Sequence, residues 1–166
     1  MEIITKEQAV FLKEIYLETF INTSDQKYID TIQTLSLCSD GYCYNGYLWD
    51  FLKEKCVVSE TFCNYWLQAL NNGFFYVFWD NHSKDKIWIQ DYWKYPKDSI
   101  IKVSWQEYCE QREYLPEDIY IFDETYEWSI CMTHEWFDKG KRYCCFMPTK
   151  YVNFFKETGH VPAFNT

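Results

Sequence analysis

The chain has 166 residues, of which 22% are aromatic, and a formal net charge of −9. A length in this range points to one domain, expected over residues 1–166, with enough apolar side chains for a sizeable core. The acidic balance repels phosphate backbones, so nucleic acid is not an expected partner, and no apolar run approaches the roughly 20 residues of a membrane span.

Thr5-Lys6-Glu7-Gln8 has the spacing of a capping box, followed by Ala9, Leu12, Tyr16 and Phe20 at helical intervals. Ser24 or Asp25 can cap a second helix carrying Tyr28, Ile29, Ile32 and Leu35. Cys38 to Gly46 reads as loop, and Tyr47 to Lys53 as a short helix. Ser59 caps a further helix, with Phe62, Tyr65, Trp66, Ala69 and Leu70 on its apolar face. Gly73 suits its C-terminal end.

The texture then changes to strand. Phe74 to Trp79 is a run of β-formers, and Lys86 to Tyr92 alternates between faces. Ser104 caps a short helix that ends at Leu115-Pro116. Ile119–Asp123, Trp128–His134 and Arg142–Met147 complete the strands, and Pro148 opens a closing helix. The helical part is expected over about 1–72, the sheet over about 73–147 and the closing helix over about 148–158. That segregation predicts an α+β fold: about five largely antiparallel strands with helices packed on one face. Phe74–Trp79, Ile119–Asp123 and Trp128–His134 are apolar on both faces, which places them at the centre.

The eight cysteines lack the context of a disulfide framework. The start MEIITKEQAV has no apolar core of a signal peptide, so the thiols are expected to be reduced and the compartment cytoplasmic. No cysteine or histidine spacing predicts a metal site, and no glycine-rich loop predicts a nucleotide, so no cofactor is expected. Asp80, His82 and Asp85 read as a solvated hairpin tip.

Chemistry is concentrated in Thr133-His134-Glu135, at the end of a strand. A turn over Glu124–Glu127 pairs Asp123 with Trp128, Ile119 with Met132 and Glu117 with His134. A turn at Asp138-Lys139-Gly140 pairs Glu135 with Arg142 and His134 with Tyr143. In that register Asp123 and His134 stand about 17 Å apart and form no dyad. His134 shares a face with Trp128, Ile130 and Met132, where a histidine is usually structural. The catalytic candidates are therefore His134, Glu135, Glu117 and Asp123, each with a structural reading in preference.

GYLWDFL (Gly46–Leu52), FFYVFWD (Phe74–Asp80), DIYIFDETYEWSICMTHE (Asp118–Glu135) and RYC (Arg142–Cys144) resemble an uncharacterised family of small bacterial proteins, domain of unknown function 4275. The resemblance spans roughly residues 45–147. It implies a bacterial cytosolic origin and carries no activity.

Two functions follow as expectations. A small, acidic, aromatic-rich domain without nucleotide or metal signatures fits a non-enzymatic protein-interaction role, immunity- or antitoxin-like, with a basic partner. Its contact is expected at Tyr92, Trp93 and Tyr95, three rings within four residues. The alternative is a small hydrolase or small-ligand-binding domain with its site near His134 and Glu135.

Overall fold

A computed structural model describes residues 1–33, 47–70, 73–80, 95, 99–136 and 143–158. Among the described residues, seven antiparallel strands form one open sheet in the order β1-β4-β3-β5-β6-β7-β2. The strands are β1 (Glu2–Ile4), β2 (Cys56–Ser59), β3 (Phe75–Trp79), β4 (Ile100–Val103), β5 (Ile119–Phe122), β6 (Ser129–Trp136) and β7 (Tyr143–Met147). The helices are α1 (Lys6–Phe20), α2 (Gln26–Tyr28), α3 (Glu60–Ala69), α4 (Trp105–Gln111) and α5 (Thr149–Thr158). A wider-wound segment, Ile29–Gln33, continues α2, and a 3-10 turn covers Leu48–Phe51.

The α+β class holds, and β3, β5 and β6 are the three central strands. The strand number is larger than five because β1, β2 and β4 are short, and two of them are the sheet edges. β1 and β2 come from the part of the chain expected to be helical. Lys86–Tyr92 lies outside the described residues.

The expected packing of helices on one face does not hold, because both faces are covered. Phe75, Val77, Ile119, Ile121, Ile130 and Met132 pack on one side with Cys63, Trp66 and Leu67 of α3, Tyr108 of α4, and Tyr151 and Val152 of α5. Tyr76, Phe78, Tyr120, Phe122 and Cys131 pack on the other with Ala9 and Tyr16 of α1, Tyr28, Ile32, Leu48 and Phe51. The reason is the strands themselves: β3 and β5 are buried at every position, and neighbouring side chains alternate between faces. A sheet that is apolar on both sides needs two covering layers.

Local chemistry sets the helix starts. Ser104 accepts from the Glu107 amide while Glu107 accepts from the Ser104 amide, a complete capping box. Ser59 caps α3 through the Phe62 amide, and Asp25 caps α2 through the Lys27 amide. Thr5 has the extended backbone of a cap but its side chain makes no capping bond, so the box expected there is absent. Tyr16 anchors α1: its hydroxyl lies 2.7 Å from Ser129 Oγ, and its ring meets Phe20, Phe78, Phe122 and Tyr120 within 6 Å.

Cys56, Cys63, Cys109, Cys131 and Cys145 are free thiols. Cys38 and Cys43 lie outside the described residues, as does the Cys144 side chain. Burial pushes the Cys63 thiol well up, and contact with the Cys145 thiol adds to this, which makes Cys63 a poor nucleophile. A thiol titration under denaturing, non-reducing conditions is expected to count all eight cysteines. A count of six or fewer overturns the reduced-thiol reading.

Candidate functional site

The register expected between β5 and β6 is the one observed, with Ile119 opposite Met132 and Phe122 opposite Ser129. Asp123, at the turn, is fully employed there. Its Oδ1 accepts from the Thr125 amide at 3.0 Å and from the Thr125 hydroxyl, and its Oδ2 accepts from Trp128 Nε1 at 2.8 Å. Tyr126 closes the turn with φ 52, a conformation that side chains rarely adopt. Its ring packs on Phe122. Asp123 is thus a turn-forming residue, remote from His134.

The register between β6 and β7 starts as expected, with Cys131 opposite Phe146 and Met132 opposite Cys145. It then slips. Trp136 faces Tyr143, so three residues (Thr133, His134 and Glu135) oppose the single residue Cys144. The pairing of His134 with Tyr143 is therefore lost. Arg142, the expected partner of Glu135, lies outside the described residues. A bulge of this kind re-aims side chains.

The re-aiming decides the histidine's partner. On a regular β6, His134 shares a face with Met132 and meets Glu117. In the bulged strand it meets Asp118, the residue immediately before β5. Nδ1 lies 3.0 and 3.1 Å from the two Asp118 oxygens. The His134 amide donates to Oδ1 at 3.2 Å, and Trp49 Nε1 donates to the same oxygen at 3.0 Å. A carboxylate oxygen only accepts, so Nδ1 carries the proton and Nε2 is the basic nitrogen of the neutral ring.

Aromatic rings wall the imidazole. Tyr47 stacks on Trp49 with centroids 5.2 Å apart, and His134 lies 4.9 Å from Tyr47 and 6.1 Å from Trp49. The network continues inward. The Trp49 amide donates to the Tyr120 hydroxyl at 3.0 Å, and that hydroxyl donates to Asp80 Oδ2 at 2.6 Å. Asp80 is buried, contrary to the solvated tip expected for it; His82 and Asp85 lie outside the described residues.

His134 is 35% exposed and Asp118 13%. Burial pulls the imidazole pKa down, but the hydrogen bond and charge of Asp118, with Glu135 and Glu117 behind it, outweigh that and raise it. Glu117 and Glu135 are exposed, and their charges act on His134 in the same direction as that of Asp118. The candidate set His134, Glu135, Glu117 and Asp123 thus resolves into one ring, two exposed carboxylates that act on it by charge, and one turn residue. Asp118 is the addition. Among the described residues, no group of three or more His, Cys, Asp or Glu side chains is placed to hold a metal ion.

The expected aromatic contact is also revised. Tyr95 is buried in the core, its ring against Trp79 and its hydroxyl bonded to Gln111 of α4. It covers the sheet and offers no surface to a partner. Tyr92 and Trp93 lie outside the described residues.

No family model matches the chain, and no curated protein or solved structure does either. The resemblance to domain of unknown function 4275 rests on the quoted residues alone. Among the described residues, no helix is long and apolar enough to cross a membrane.

Proposed function

We propose that this chain is a non-enzymatic protein-interaction domain, immunity- or antitoxin-like, that holds a basic partner. The supporting observation is the outward side of α1. Val10 and Phe11 are 50% and 61% exposed there, among the exposed carboxylates Glu7, Glu14 and Glu18. Scattered exposed apolar side chains are ordinary, but two adjoining ones on an acidic ground suit a surface that is apolar and basic in its partner. The net charge of −9 steers such a partner over distance.

The product of the gene adjacent to this one is the partner to test. Co-expression is expected to give a stable complex and to relieve any growth arrest the partner causes alone. Phe11→Ser is expected to weaken the complex at least tenfold without unfolding the domain, and added salt to weaken it further. Absence of a complex at tens of micromolar overturns the proposal.

A second reading, a small-ligand or hydrolytic site, draws on the Asp118–His134 geometry. A carboxylate that fixes Nδ1–H leaves Nε2 to act as base or acceptor. His134→Gln separates the two readings. If the ring is structural, the variant melts at a lower temperature and keeps its partner. A variant that melts like the parent and loses a binding or hydrolytic activity moves His134 into an active site.

A further inference from the structure

We infer that the segment docking on α1 is a basic amphipathic helix. This rests on the interaction reading and adds the form of the contact. Glu7, Phe11, Glu14 and Glu18 recur at intervals of four, three and four, which draws one continuous stripe along a helix. Val10 adjoins Glu7 and Glu14 on one flank of it, and Ile15 adjoins Phe11 and Glu18 on the other. Ala9, Tyr16 and the partly buried Leu12, Leu17 and Phe20 occupy the opposite side against the sheet. The helix is therefore apolar inward and apolar-acidic outward. A stripe of this length, about 17 Å, is what a second helix packing at a shallow angle would follow.

Among the described residues the stripe is uncompensated. Glu14 and Glu18 are like charges four residues apart, an unfavourable pairing on a helix surface. Glu18 sits in the last turn of α1, where the helix dipole favours a cation and no basic residue is present. Lys13 turns inward over the Phe78 ring, 5.5 Å from its centre. Lys53 reaches the Glu18 backbone carbonyl and makes no ion pair with the carboxylate. Among the described residues, Glu7, Glu14 and Glu18 have no ion-pair partner within 4.0 Å. The backbone of α1 is engaged in its own helix, so a partner strand has no edge to extend there. Anionic lipid and nucleic acid are repelled by the same carboxylates. A helix with lysines or arginines flanking an apolar line meets the carboxylates, Val10 and Phe11 together.

Three peptides of about 20 residues test this: a lysine-flanked amphipathic helix, the same composition interrupted by two prolines, and a glutamate-for-lysine analogue. The first is expected to bind, to shift the amide resonances of α1, and to weaken at least tenfold in Glu14→Lys and in Phe11→Ser. Both substitutions lie at exposed positions, and unchanged melting temperatures show that folding is kept. The proline peptide is expected to bind at least tenfold more weakly and the acidic one not at all. Equal binding of the proline peptide, shifts away from α1, or no binding of the lysine peptide overturns the inference. A gene-neighbour complex whose amide protection falls elsewhere leaves the interaction reading standing while the helix proposal fails. Absence of that complex removes the interaction reading itself.

Discussion

Asp118→Ala is expected to destabilise the protein by about 3 kcal/mol, because three donors lose their acceptor at once. Trp49 Nε1, the His134 amide and His134 Nδ1 all converge on this carboxylate. Asp118→Asn, which keeps one carbonyl oxygen, is expected to cost less than alanine. A second signature is specific to the imidazole. Burial lowers the His134 pKa and Asp118 reverses this, so the alanine variant is expected to titrate lower than the parent. The linkage has a definite sign. A folded pKa raised above the unfolded value, about 6.5, gives stability that is complete below that pH and is lost as pH rises through the folded pKa. Parent stability is therefore expected to decline between pH 6.5 and the folded pKa, and the alanine variant to show less of this decline. Ring-proton NMR across pH 5–9 and denaturant unfolding at both ends of that range measure the two effects. An unchanged pKa in Asp118→Ala would remove the carboxylate from its role.

Why Asp118 escaped a reading of the sequence is physical. The β5–β6 register follows from the turn: Ile119 falls opposite Met132 by counting back from Asp123 and Trp128. That count assumes a regular ladder, and β6 is regular only as far as Met132. Nothing in Thr133-His134-Glu135 announces two extra residues, and the face on which His134 lands turns on them. The aromatic wall was beyond reach for another reason. Trp49 meets Asp118 across 69 positions of sequence, and only the packed sheet brings them together.

An unbroken run of buried residues separates the strands that were legible from those that were not. β3, β5 and β6 stand out because each presents at least four consecutive buried residues. β1 has three residues and β2 and β4 four each. β2 and β4 also run directly into the caps Ser59 and Ser104, so the helix signals overprint the short strands. The apolar faces of β3 and β5 already required a second covering layer. The α1 stripe was legible on its inner side alone, since Val10, Phe11 and Ile15 read equally well as a widening of the buried face.

Trp128→Ala is expected to be the most damaging single substitution in the hairpin, costing about 3–5 kcal/mol as a buried ring is replaced by a cavity. Trp128 has no solvent exposure, and its ring meets Trp66 of α3 edge-on at 6.4 Å. It also donates to Asp123 Oδ2, so the ring ties the turn to the core while filling the space beneath α3. Trp128→Phe separates the two contributions. It keeps most of the apolar volume and removes the indole N–H, so about 1–3 kcal/mol is expected to be lost, part of it from the charged acceptor left with one donor fewer. The phenylalanine variant bears directly on Asp123. If that carboxylate is a turn residue, Trp128→Phe and Asp123→Ala each destabilise, and the double variant loses less than the sum, because both remove one shared bond. Urea unfolding of the four proteins gives this cycle. Additive losses would mean that the Trp128–Asp123 bond contributes nothing to stability, and would reopen a separate role for Asp123.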